Sequence, residues 1–282
     1  MAGANPTLRR RQLATRLREL RKVAGLSIEE AANRLECSPA KISRIETAHR
    51  GVIPRDVRDL CHIYGVGQAD AEALMTMARE ARRPGWWQQY EDLDLDPYIG
   101  LEGEASSITM YETTTIPSLL QTEDYAREVI RGCLPRIKQE VLEERVDARL
   151  KRQRLLMQSE PPQCAVLLDE SVLHRHVGGR AVMGAALERV VELSALAHVT
   201  VQVIPFTVGA HIGFDSMFIM LEFPDNMVPD TVYVESLMGD FYLEKPRELE
   251  RFREVITHLR AVALDQPGSV ALIGEMSRTY AV

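Results

Sequence analysis

Two helix-start signals, eleven residues apart, constrain this chain more than any other feature. Ser27 opens S-I-E-E, where a serine hydroxyl and the Glu30 carboxylate can each satisfy the other's backbone amide, a capping box. Ser38 precedes Pro39, and proline at the first helical position lacks only an amide that would be orphaned anyway. Between the two signals there is room for one short helix, through Leu35, and the turn Leu35-Glu36-Cys37-Ser38. Ala31, Leu35, Ile42 and Ile45 face inward and lock the pair together, so the segment reads as a helix-turn-helix.

The flanks are helical too. Leu13, Leu17, Leu20 and Val23 recur at three- and four-residue steps and give a first helix one buried stripe, ended by Gly25. A fourth helix is expected from Arg55 to Tyr64, stopped by Gly65, and a fifth from Gln68 to Arg82. Pro84-Gly85, two tryptophans and the acidic run 91–96 then break the pattern. This divides the chain into a helix-turn-helix domain, 1–83, and a second domain, 84–282, with Trp86 and Trp87 expected to pack the two together. Beyond the junction, helices are expected over 121–132, 136–157, 180–197 and Pro246–Leu264. Strands are expected over Ala165–Leu168, Val199–Pro205, Phe214–Phe223, Thr231–Glu235 and Asp240–Leu243. The fold class is therefore multidomain: an all-α head followed by an α/β or α+β domain with a mixed sheet.

Charge divides at the same place. Residues 1–65 hold 13 of the 34 Lys and Arg and 7 of the 41 Asp and Glu, a net +6, so the remaining chain is −13. A basic head on an acidic body points to a polyanionic partner for the head alone. The second helix of the pair is expected to enter the major groove of double-stranded DNA, with Pro39, Ala40, Lys41, Ser43 and Arg44 on its outer face as base readers. Arg44 leads, because a guanidinium pairs with both guanine acceptors at once. The helix starts at Ser27 and Ser38 suit phosphate oxygens, and Arg50, with Arg9, Arg10 and Arg11 as an arm, would add salt-sensitive attraction. A bundle used only for protein contact has the same periodicity, and the local charge argues against it.

S-P-A-K-I-S-R-I-E-T within L-R-E-L-R-K-V-A-G-L-S-I-E-E-A-A resembles the Cro/repressor-type (Xre) helix-turn-helix over residues 12–66. It departs from that pattern at Glu36, where a turn glycine is usual, and at Ala48, where E-x-G is usual. Ile116–Arg127, the R-x-x-R-Q element at Arg149–Gln153, Leu168–Gly179, Val199–Phe206 and Val232–Glu235 are similar to antitoxin-like Xre regulators whose C-terminal domain has no assigned chemistry. Ser118 stands where that family has glycine. The resemblance implies a transcription factor, often encoded beside a small partner protein and linked to antibiotic production and development in filamentous bacteria. A homodimer on a near-palindromic operator follows, its half-sites about one helical turn, ~34 Å, apart. The alternative is an antitoxin-like module that chiefly sequesters its small partner.

No catalysis, cofactor or metal is expected. Asp169, Glu170, His174 and His176 have metal-ligand chemistry, but a strand-to-helix cap explains the first two and nothing makes the histidines converge. Val177-Gly178-Gly179-Arg180 lacks the lysine and spacing of a phosphate loop. The basic run Arg149, Lys151, Arg152, Arg154 reads as a solvated face, with contact to an acidic partner as the other reading. Cys37, Cys61, Cys133 and Cys164 are too far apart for a zinc knuckle and read as buried thiols. With no apolar stretch near eighteen residues and no secretory leader visible, the chain is expected at the nucleoid in the cytoplasm.

Overall fold

The computed structural model describes residues 5–90, 96–224 and 228–281, so most of the acidic run in the junction lies outside the described residues. Two compact units emerge. Among the described residues, the first takes 5–89, 96–104, 224 and 228, and the second the rest.

The first unit is helical: α1 (Pro6–Val23), α2 (Ile28–Arg34), α3 (Pro39–Glu46), α4 (Pro54–Ile63), α5 (Gln68–Glu80) and α6 (Asp96–Glu102). Leu13 and Leu17 of α1, Ala31 of α2, Ile42 and Ile45 of α3, and Val57, Leu60 and Cys61 of α4 form its core. Two expectations need correction. Arg9–Arg11 are not an arm: Asn5 caps α1 by accepting the amides of Thr7 and Leu8, and the three arginines lie on that helix. Val23 is 86% exposed, because the inward position in the last turn belongs to Arg21. Trp87 is buried within this unit against Gly100 of α6, while Trp86 is exposed.

The second unit is built on a six-stranded sheet. Its strands are β1 (Ser107–Glu112), β2 (Gln163–Asp169), β3 (Val199–Ile204), β4 (Phe218–Glu222), β5 (Thr231–Val234) and β6 (Phe241–Leu243), in the order β3-β2-β1-β4-β5-β6. β1, β2 and β3 run parallel, and β4, β5 and β6 continue antiparallel. The sheet is mixed because the β1–β2 and β2–β3 connections carry crossover helices while β4–β6 form a meander. Those helices are α7 (Glu123–Cys133) and α8 (Gln139–Gln153) before β2, then α9 (Ser171–His174) and α10 (Gly179–Leu193) before β3. α11 (Pro246–Val262) and α12 (Gln266–Ala281) complete the unit.

Side chains alternate between the two faces of the sheet. On one face Tyr111, Leu167, Ile204, Phe218, Met220 and Val232 pack beneath Leu249, Ile256 and Leu259 of α11. On the other Ile108, Met110, Val166, Leu168, Val201 and Val203 are buried. The strand expected from Phe214 begins only at Phe218, because Gly213 lies against the Tyr111 ring and the 205–217 connection turns there. α12 packs on α10, where Gly184 leaves room for Tyr280.

Candidate nucleic-acid interface

The turn between α2 and α3 closes as a Schellman motif: the Cys37 amide bonds the Ala32 carbonyl and the Glu36 amide the Asn33 carbonyl. The motif requires a left-handed residue, and Glu36 supplies it at φ 52°. Ala48 is left-handed too, at φ 59°, but after α3 it is the Arg50 amide, one residue further on, that returns to the Arg44 carbonyl. Gly25 and Gly65 hold the equivalent places after α1 and α4. Glu36 and Ala48 therefore take the left-handed backbone that glycine takes after α1 and α4, and carry the strain that glycine avoids. Ser118 has no left-handed backbone; its hydroxyl accepts from Arg152 at 3.0 Å.

α2 starts with the expected capping box: Ser27 Oγ accepts the Glu30 amide at 3.1 Å and the Ser27 amide donates to Glu30 at 2.8 Å. These bonds hold the Glu30 carboxyl below its ordinary range, and with Glu29 beside it this end of α2 already has its anion. α3 starts differently. Ser38 Oγ accepts the Lys41 amide at 3.3 Å, no acidic residue stands in the first turn, and Ser38, Pro39 and Ala40 are exposed. That end of α3 is the better anion seat.

Two ion pairs brace α3. At its end, Glu46 accepts two bonds from Arg21, at 2.7 and 2.8 Å, while Arg21 also donates to the Leu26 carbonyl. Both side chains are buried, and the bonds to Glu46 raise the Arg21 pKa. At its start, Lys41 Nζ meets Asp56 of α4 at 2.6 Å. Sequence spacing carries no mark of either pair, because the partners lie on different helices.

Of the expected base readers, Pro39, Ala40 and Arg44 share an exposed face; Ser43 is half-buried and Lys41 is drawn toward α4. Arg44 donates only to its own helix, to the Ala40 carbonyl at 3.2 Å, and makes no ion pair among the described residues. Arg50 is exposed just beyond. So is Arg34, at the end of α2, which sequence reasoning passed over although its helix position marks it as outward. Arg9 is tied to Glu80 at 3.0 Å and Gln12 at 2.9 Å, and Arg10 and Arg11 are half-buried on α1.

In the second unit the acid-histidine cluster separates. Asp169 caps Ser171, Glu170 meets His174 at 3.2 Å, and His176 turns to the Tyr280 ring. Among the described residues no group of three His, Cys, Asp or Glu could hold a metal. Gly178 and Gly179, both left-handed, open α10 as a plain turn. The basic run is not one solvated face: Arg152 is only 7% exposed, and Arg149, Arg152 and Gln153 reach inward to Gln121, Ser118 and the Ser118 and Gln121 carbonyls. The R-x-x-R-Q element thus anchors the 116–121 turn onto α8. Cys61 and Cys164 are buried as expected, but Cys133, the last residue of α7, is exposed. No described helix is long and apolar enough to cross a membrane.

The comparisons also divide the chain in two, but they cut it elsewhere, because the second match includes 96–104, which pack in the helical unit. Residues 12–74 match a helix-turn-helix domain, and residues 95–275 match a domain of unknown function, DUF5753. The chain belongs to the DUF5753 family. As a family member it carries its helix-turn-helix ahead of the family domain. No curated protein matches it. Among solved structures, the clp gene regulator ClgR from C. glutamicum is 25% identical, over 27% of this DUF5753 chain and 92% of that one, with a TM-score of 0.22.

Proposed function

We propose that this DUF5753 protein is a sequence-specific DNA-binding transcriptional regulator of the Xre type, a repressor or autoregulator, working as a homodimer on a near-palindromic operator. In this reading residues 1–83 read DNA. Residues 84–282 dimerise and bind a small partner protein, encoded by a neighbouring gene, or a ligand that shifts the DNA-competent population by preferring one state. One observation carries the proposal: Arg44 stands exposed, with no ion pair among the described residues, on a helix braced at both ends, beside the small Pro39 and Ala40 that let the helix approach base edges. Arg44→Ala, measured against a selected operator at fixed salt, is expected to weaken binding by about 1–3 kcal/mol and to relax one base preference. Unchanged affinity and preference would remove Arg44 from the reading role.

The antitoxin-like alternative, a module that mainly sequesters its partner, is favoured by the exposed Leu237, Met238 and Phe241 at one end of the sheet, where loss of apolar exposure would reward docking. A stoichiometric complex with the neighbouring gene's product that is unaffected by Arg44→Ala and by added operator would support it.

A further inference from the structure

At the end of the sheet where β1, β2 and β3 finish, polar groups converge beneath the 205–217 connection without meeting. Asp169 spends one carboxylate oxygen on the Ser171 amide, and the other lies 3.7 Å from Nε2 of His211, too far for a direct hydrogen bond. The His211 side chain is 6% exposed, and its Nδ1 accepts the Gly213 amide at 3.3 Å. The ring proton therefore belongs on Nε2, the nitrogen facing Asp169. Tyr111, next to last in β1, meets the His211 ring edge-on at 6.2 Å between centroids. Its hydroxyl is fully enclosed and has no hydrogen-bond partner among the described residues. Burial, with the Asp169 charge adding, holds that phenol in its protonated form. Buried polar groups are paired in more than about nine cases in ten, so an enclosed, orphaned hydroxyl beside a carboxylate and an imidazole N–H that miss each other calls for a third party.

Aromatic surface adjoins this polar group. Phe206 is stacked on His174 at 5.3 Å and Phe214 is edge-on to His211 at 5.6 Å, and both phenylalanines are more than half exposed. Glu170 holds the first pair in place, accepting the Phe206 amide at 2.7 Å and meeting His174 with its other oxygen. The carboxyl ends of parallel strands are where open α/β sheets take ligands.

We propose that this end of the sheet is a binding site for a small planar apolar molecule bearing one hydroxyl, a phenol-type ligand. The hydroxyl accepts from His211 Nε2, donates to Asp169 and gives the Tyr111 hydroxyl its missing partner, while the ring lies on Phe206 and Phe214. A ligand anion would meet Asp169 and Glu170, and an ammonium would offer nothing to the His211 N–H, so a neutral hydroxyl fits the three groups together. Entry requires the 205–217 connection to part from Tyr111, on which it now rests so closely that a Cβ at Gly213 would stand 2.8 Å from the ring. The site deepens the ligand half of the proposed function and rests on that reading only for its effect on DNA.

The test is calorimetric titration of the full-length protein with 2-naphthol. One equivalent per chain is expected, with 2-methoxynaphthalene, which has no proton to donate, at least tenfold weaker. Tyr111→Phe and Asp169→Asn should each weaken 2-naphthol at least tenfold. Tyr111→Phe should do so without lowering Tm, because the hydroxyl it removes has no partner to lose among the described residues. No saturable binding, or binding that Tyr111→Phe leaves within twofold, would overturn the site. Operator affinity of the same protein without naphthol tests DNA reading separately, so the failure of one proposal is not the failure of the other.

Discussion

Left-handed backbone at Glu36 and Ala48 costs an L residue roughly 1–2 kcal/mol, and glycine would lose part of that gain, about 0.4–1 kcal/mol, through its freer unfolded chain. Glu36→Gly and Ala48→Gly are each expected to stabilise the head by about 0.5–1 kcal/mol, and thermal unfolding of the single and double variants should show the two gains adding. Both positions were legible from sequence as departures from a glycine-bearing pattern. Glu112 was not. It ends β1 in a recess where burial, and then the Glu235 charge, push its carboxyl up to about 8 against the opposing pull of Arg149. Its folded pKa lies above its unfolded value, so the folded state holds a proton that the unfolded state gives up as pH rises from about 4.5 to about 8. Stability falls over that window. Glu112→Gln, which cannot ionise, should therefore raise Tm at pH 8 and leave it nearly unchanged at pH 4.

Among the elements, those with a local start or stop were readable. Ser27, Ser38, Gly25 and Gly65 mark helix ends by chemistry within four residues, and the structure keeps those ends. β1 and α12 escaped for opposite reasons. β1 is short and buried on both faces, so no polar alternation announces it; α12 carries Pro267, Gly268 and Gly274, which weaken a helical pattern that packing on α10 restores. Long-range braces are invisible by nature, and the pair Lys41–Asp56 shows the consequence for function. Asp56 holds a cation of α3 on its neighbour. Asp56→Asn should release it, tightening non-specific DNA binding and steepening its salt dependence by about one counterion, a change read from a salt titration on random duplex. An unchanged slope would mean that Lys41 stays away from phosphate even when freed.

For the molecule as a whole, the charge division favours the head as the surface offered to DNA. Of the thirteen cations behind the head's +6, Arg9, Arg21 and Lys41 are ion-paired to Glu80, Glu46 and Asp56, so contact with a duplex depends on a smaller set that includes the exposed Arg34, Arg44 and Arg50. The remaining chain, at −13, repels the duplex and sharpens dependence on that set. Arg44 and Arg50 should then separate by type of effect. Arg50 is exposed beyond α3, and the proposed function gives it a phosphate contact, so Arg50→Ala should weaken operator and random duplex by the same factor and lower the salt slope by about one. Arg44→Ala should weaken the operator more than random duplex. Equal losses for the two variants on both duplexes would mean that α3 approaches phosphate only, and that sequence is read elsewhere on the head.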